Sequence, residues 1–240
     1  MLTDYHIHSN FSLDCKSSIS EIVLACREKG ITSFIITDHY EVSTKDVWKD
    51  WVFNVDEYKK QMEKYSLPVG IELGWDGIAP INIDLEIFDY VLLSHHDLDE
   101  PVTKESYVKY LERLNKLIRK IDHFHCLAHL DFPRRYNKDY EPFSKDTYDL
   151  IKEILKYLIE EGKFLEVNTR SISMFGEPNP SVEILKLYRE LGGEMITLGS
   201  DAHYIENIGL GIQQGLEMIK SVGFRYMMVF NNGWEAVELK

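Results

Sequence analysis

Short apolar runs rich in β-forming residues alternate with helically patterned segments along almost the whole chain. Strands are predicted over 2–8, 33–37, 68–73, 90–94, 124–130, 164–167, 195–199 and 226–230. Most are apolar almost without interruption, so both faces of each strand are covered and the sheet is parallel. The helices between them carry their own signals. Ser18 and Glu21 form a capping box, Ile19, Ile22, Val23 and Cys26 follow helical spacing, and Gly30 ends the segment. A longer helix is expected over 104–121, with Leu111, Leu114, Ile118 and Ile121 on one face. Another runs from near Ser144 to Gly162 through Ile151, Ile154, Leu155 and Leu158. Asn179-Pro180-Ser181 opens the next, with Pro180 in its first turn and an end by Gly192, and a last helix covers 212–221. No glycine-rich phosphate loop follows the first strand, which favours a closed or nearly closed α/β barrel over a doubly wound sheet. The stretch 40–65, rich in Trp, Tyr and charge, reads as an irregular insertion beside the barrel mouth.

Of the 240 residues, 44% are hydrophobic, enough for one domain spanning 1–240 with a large core. Cys15, Cys26 and Cys126 form no paired pattern, which points to a reduced, cytoplasmic protein. There is no signal-peptide pattern and no apolar run near the roughly 20 residues of a membrane span, so no membrane partner is expected. Lys+Arg 27 against Asp+Glu 40 gives a net charge of −13. Such a surface repels nucleic acid and admits a small anionic substrate only where bound cations invert the local field.

In parallel barrels, functional side chains project from the C-terminal ends of the strands and the loops that follow. Those places hold His6, His8 and Asp14, then Thr37-Asp38-His39, then Gly70-Ile71-Glu72. Further along they hold Ser94-His95-His96-Asp97, Ala128-His129-Leu130-Asp131 with Arg134 and Arg135, Glu166 to Arg170, and Ser200-Asp201-Ala202-His203. Taken singly, each has an ordinary structural reading: a surface histidine pair at His6 and His8, an ion pair at Glu72, caps at Asp38 and Asp131. Taken together they do not, because buried charged and imidazole groups are costly unless paired or metal-bound. His6 and His8 share one strand face, whereas neighbours His95 and His96 point apart, so only one of that pair faces the mouth. Imidazoles with carboxylates and no thiolate cluster suit zinc, iron or manganese in a catalytic site.

This ordered series resembles the PHP (polymerase and histidinol phosphatase) superfamily over nearly the whole chain. The resemblance implies a distorted (β/α)7 TIM-like barrel with two or three metal ions at its C-terminal face. By position, His6, His8, Glu72 and Asp201 would hold one metal. Glu72 would bridge to a second held by His96 and His129, and a third would take Asp14, His39 and His203. The family's Ser-x-His spacing selects His96 over His95. The stretches His129 to Tyr136 and Glu166 to Thr169, with no appended domain, are most similar to the stand-alone histidinol-phosphate phosphatases. Those carry a basic residue a few positions after Asn-Thr; here Arg170 follows immediately and Ser173 takes the later place.

The implied reaction hydrolyses L-histidinol phosphate to L-histidinol and phosphate in histidine biosynthesis, through hydroxide shared between two metals. Glu72, His96 and Asp201 would form its catalytic centre, with Arg135, Arg170 and Arg134 clamping phosphate oxygens. Asp38 and Asp131 would orient ligand imidazoles. The segment with Trp48, Asp50, Trp51 and Tyr58, or Trp75-Asp76, would either face the cationic, imidazole-bearing alcohol or pack onto the barrel. Four other readings compete. A phosphatase for another small ester or a phosphotyrosine keeps the same site. A PHP exonuclease is opposed by the charge, a degenerate scaffold by ligand types at every strand end, and an amidohydrolase by the lack of a bridging lysine.

Overall fold

The computed structural model describes residues 1–137 and 144–239. Strand β1 (Leu2–Ile7) is followed by α1 (Ile19–Glu28), whose capping box forms as the sequence predicts: Ser18 N donates to Glu21 Oε2 at 2.8 Å. The chain returns as β2 (Ile31–Ile36), parallel to β1. Two residues later it becomes β3 (His39–Val42), which leaves β1 and pairs with the next strand but one helix away. The handover is made by two bonds: Thr37 N donates to Ile7 O at 2.8 Å, and Glu72 N donates to Asp38 O at 3.0 Å. After α2 (Val55–Lys64) come β4 (Gly70–Trp75), β5 (Tyr90–Ser94), α3 (Lys104–Leu117), β6 (Cys126–Leu127), α4 (Tyr148–Glu160) and β7 (Phe164–Asn168). Then follow α5 (Ile172–Phe175), α6 (Val182–Glu190), β8 (Ile196–Gly199) and α7 (Ile212–Val222). Strands β3 to β8 form one parallel sheet in chain order. Bonds from Asp201 N to His6 O (2.7 Å) and from His8 N to Ala202 O (2.9 Å) bring β8 back to β1. With β2 and β3 sharing one stave, the ring has seven, a distorted (β/α)7 barrel.

The ring encloses a small inner core of Tyr5, Ile35, Tyr90, Leu92, Cys126, Ala128, Phe164 and Met228. A hairpin of β9 (Tyr226–Phe230) and β10 (Trp234–Glu238) closes the end beneath it. Trp234 packs there on Tyr5 (5.3 Å between centroids), Tyr90 (4.9 Å) and Phe164 (5.0 Å). Polar side chains therefore collect at the other end. On β7 the apolar Phe164 is followed on the same face by Glu166 and Asn168, the period-two step from core to site. On β1 the alternation breaks. The register with β2 shifts between Asp4 and Ile7, so Tyr5 lies in the inner core while its neighbour His6 reaches the site. The outer core between strands and helices holds Ile71, Leu73, Val91, Leu93, Leu114, Ile151 and Ile154. No helix among the described residues is long and apolar enough to cross a membrane.

Several expectations need correction. The stretch 40–65 is no irregular insertion: it supplies barrel strand β3 and helix α2, whose Tyr58 and Met62 are fully buried in the outer core. The strand expected over 124–130 pairs only at Cys126–Leu127, and the chain then turns, with His129 at φ 20°. Pro180 precedes the α6 cap instead of starting the helix; Ser181 caps it by accepting from Ile184 N. The third helix stops at Leu117 and the fourth begins at Tyr148.

Asp4 clamps the ring shut. Fully buried, it accepts from Ser200 N (2.8 Å), Ser200 Oγ (2.6 Å) and Gly209 N (2.9 Å), tying β1 to the chain after β8. Asp4→Ala, which orphans these donors, is expected to lower the unfolding free energy by about 3 kcal/mol in urea titration. Burial outweighs the donors and holds this carboxyl up, from the usual 3.8 to about 6. The folded protein then keeps a proton that the unfolded chain has already released, so this group stabilises less as pH rises between those values. Wild type should therefore lose stability relative to Asp4→Asn across that window and not above it.

Candidate metal centre

Glu72 is the floor of the mouth. It points inward from β4, and Gly70 and Gly74 occupy the inward positions two residues before and after it. A Cβ at Gly70 would strike Ile35 and the Ile36 carbonyl, and one at Gly74 would strike the Glu41 carboxylate. Glu72, wholly buried, meets five imidazoles: His6 Nε2 at 3.1 Å, His8 Nε2 at 3.6 Å, His39 Nδ1 at 2.9 Å, His96 Nε2 at 3.3 Å and His129 Nε2 at 3.0 Å. Asp201 stands 3.5 Å from His8 and 3.9 Å from His6. Asp14 stands 2.9 Å from His203 and 3.8 Å from His39. All nine expected ligands thus meet in one cluster, contributed by segments that lie up to the full length of the ring apart.

The spacing fits metal ions. Two ligand atoms about 2.1 Å from one ion at the tetrahedral angle stand about 3.4 Å apart, close to the separations found here. Three-ligand sets of that kind are His6, His8 and Asp201; Glu72, His96 and His129; His8, His39 and His203; and His39, Glu41 and His96. His6 Nε2, His8 Nε2, His39 Nδ1 and Glu72 Oε2 are buried and make no hydrogen bond among the described residues, as ligand atoms reserved for a cation would be. The electrostatics agree. Burial disfavours an ionised Glu72, yet the facing His39, His6 and His96 outweigh it and hold the carboxyl well below its usual range. Burial lowers His6 as well, but Glu166, Glu72 and Asp201 raise it well above the ordinary imidazole value. For His8, burial together with His203 and His39 drives the value well below ordinary.

A PHP-domain model matches residues 4–170. The chain belongs to the PHP family. A probable histidinol-phosphatase of Thermotoga maritima is 40% identical over 241 residues, covering 100% of both chains. A probable histidinol-phosphatase of Clostridium acetobutylicum is 32% identical, covering 94% of this chain and 95% of that one. Among solved structures, histidinol phosphate phosphatase from Lactococcus lactis subsp. lactis, complexed with zinc, L-histidinol and phosphate, superposes with a TM-score of 0.80. It is 25% identical and the match covers 98% of each chain.

In this PHP domain a further set of side chains holds the clustered imidazole rings. Glu166 Oε1 accepts from His6 Nδ1 at 2.6 Å, and Glu41 Oε1 accepts from His96 Nδ1 at 2.6 Å, leaving each Nε2 aimed at Glu72. Ser12 Oγ lies 3.2 Å from His8 Nδ1 and itself donates to Asp38 at 2.8 Å, so Asp38 orients His8 through a serine. Glu41 and the role of Glu166 escaped the sequence reading. The available signal was period two: Glu41 follows His39, and Glu166 precedes Asn168, each on the same strand face. Asp131 does something other than expected. It binds Asn179 Nδ2 (2.6 Å), Ser181 N (3.0 Å) and Arg134 Nε (3.1 Å), and Asn179 in turn accepts from Arg135 Nε at 3.2 Å, so it positions an arginine and no imidazole.

Arg135 and Arg170 both reach the mouth, on Asp201 at 2.8 and 3.1 Å. Arg134 does not, being turned to Asp131, Glu177 and the Pro178 carbonyl. His95 points away too, its Nδ1 on the Trp75 carbonyl at 2.9 Å and its ring against Tyr110. The mouth itself is a cavity of about 370 Å³ lined also by Trp48, Trp51, Phe132, Tyr136 and Met174. Glu41→Ala leaves His96 Nδ1 without its acceptor and should weaken zinc binding by about 10–100-fold in chelator competition, whereas Glu41→Gln, which can still accept, should lose far less.

Proposed function

We propose that this PHP domain, as a single catalytic unit, hydrolyses L-histidinol phosphate to L-histidinol and phosphate in the histidine biosynthesis of the cytoplasm. One observation carries the reading: a buried His and carboxylate cluster shares its mouth with two arginines, in a chain matching a probable histidinol-phosphatase end to end. Two or three zinc, iron or manganese ions fit the donors described above. His6, His8, Glu72 and Asp201 would hold one, Glu72, His96 and His129 a second, and Asp14, His39 and His203 a third. When bound, such ions acidify a coordinated water and offset charge on phosphoryl oxygens.

The protein's own groups do the rest. Arg135, with its side chain 10% exposed, is anchored through Nε on Asn179 and through one terminal nitrogen on Asp201. Its other terminal nitrogen is buried with no partner among the described residues and is available to a phosphoryl oxygen. Because the Asp131–Asn179 chain sets the guanidinium before substrate arrives, its donors are preorganised for the charge that develops at phosphorus. Arg170 is half-exposed on the same carboxylate and supplies a second fork from the rim. Phe132 packs against His129 (4.9 Å) and His96 (5.3 Å), closing apolar surface over two ligand rings and excluding bulk water from them. The surface charge of −13 opposes a polynucleotide substrate.

Phosphate release from L-histidinol phosphate, against a panel of other monoesters, tests this. Selective turnover is expected, abolished in His8→Ala and by chelation, and restored by zinc or manganese. Arg135→Ala should cost about 10²–10³-fold in kcat. Turnover confined to other esters would discard histidinol phosphate while keeping the site.

A further inference from the structure

The mouth is not uniform in charge. Both arginines stand beside Asp201, whereas the wall beside His39 and His96 is built from two tryptophans. Trp51 meets the His39 ring edge-on at 5.5 Å and Trp48 at 5.5 Å, and the Trp48 ring lies 6.0 Å from His96. Both indoles are half-buried and line the cavity. Their placement is held firmly. Glu41 N donates to Trp51 O at 2.7 Å, fixing that backbone to β3. Trp48 Nε1 donates at 2.7 Å to Oδ1 of Asp97, a carboxylate only 8% exposed, which also takes Lys45 Nζ at 3.2 Å. A carboxylate this sheltered behind an indole N–H fixes the ring plane and adds to the electron density of its face.

Resting on the proposed function, we propose that Trp48 and Trp51 form the leaving-group subsite for a cationic, imidazole-bearing alcohol, with Asp97 the positioning residue that sets Trp48. The phosphate end is drawn to the arginines and the metal ligands. The ammonium and imidazole end is repelled by those guanidiniums and must lie elsewhere. The carboxylates lining the cavity, Asp14, Glu72 and Asp201, already belong to the donor cluster. Phe132 is already covered by a cation, with Arg135 5.5 Å from its centroid, and Tyr136 packs against it. Among the described residues no Lys or Arg lies over either indole. Tyr136 stands with Phe132 on the Arg135 side, so the two indole faces are the π surfaces away from the guanidiniums that can attract a cation and stack an imidazole.

The decisive quantity is selectivity: kcat/KM for L-histidinol phosphate over that for glycerol 3-phosphate, an ester with the same phosphate and a neutral alcohol. In Trp48→Leu this ratio is expected to fall about tenfold, mainly through KM for the cationic ester. Asp97→Ala should follow in the same direction, and Asp97→Asn, which keeps an acceptor for the indole, should recover most of the ratio. A ratio unchanged within about twofold in Trp48→Leu and Asp97→Ala overturns the subsite. A second readout is independent of turnover: titration of L-histidinol should quench tryptophan fluorescence in wild type and quench it clearly less in Trp48→Leu, where only Trp51 of the pair remains. Wild type that ignores histidinol phosphate but is quenched by L-histidinol would sink the function and keep the subsite. Wild type that is not quenched sinks the subsite.

Discussion

A buried carboxylate facing five imidazoles is the constraint on which the rest of this barrel depends. Glu72 has no access to solvent, and an ionised group in such a place is tolerated only with compensating charge and hydrogen bonds around it. The compensation arrives from β1, β3 and the loops after β5 and β6, which lie far apart in the chain. Only a closed or nearly closed ring points the ends of all those strands at one spot. The neighbours of Glu72 on its own strand are correspondingly small, because Gly74 leaves the space that the Glu41 carboxylate fills.

The demand for neutrality spreads outward in steps. Glu166 and Glu41 hold the far nitrogens of His6 and His96, so those rings present their other nitrogens to Glu72. Asp201 is balanced by Arg135, and Arg135 is steadied by Asn179 and Asp131. At the opposite end, the Trp234 hairpin and the inner aromatic layer close the barrel with apolar contacts. A ring sealed with aromatics below and lined with charge above presents a single polar mouth. Within it, arginines stand on one side and indoles on the other.

Much of this was legible in the sequence, and the failures share a cause. Strands β4, β5 and β7 announced themselves because both of their faces are covered and their composition is apolar. Strand β3, His-Tyr-Glu-Val, did not, because two of its four residues serve the site and the strand borrows its stability from β4. Strand β10 lies half-exposed in a terminal hairpin, where alternation is weak. The clustered histidines stood out as a series, since imidazoles recurring at strand ends have no packing rationale. Glu41, Asp131 and Arg134 could not be sorted that way. A carboxylate near an imidazole and one near a guanidinium look alike in sequence, and only the direction of the side chain separates them.

Legible in the residues alone were most of the strands and helices, the closed α/β class, and the ligand-type side chains at the strand ends. These follow from local periodicity and from residue types, which the chain carries residue by residue. Only the folded chain shows that β2 and β3 share a stave, that Glu41 holds His96, and that Asp131 serves Arg135. It also decided which walls of the mouth are positive and which aromatic. Those outcomes depend on side-chain direction across strands that meet only when the ring closes, and a distance between residues 72 and 201 exists only in the folded chain.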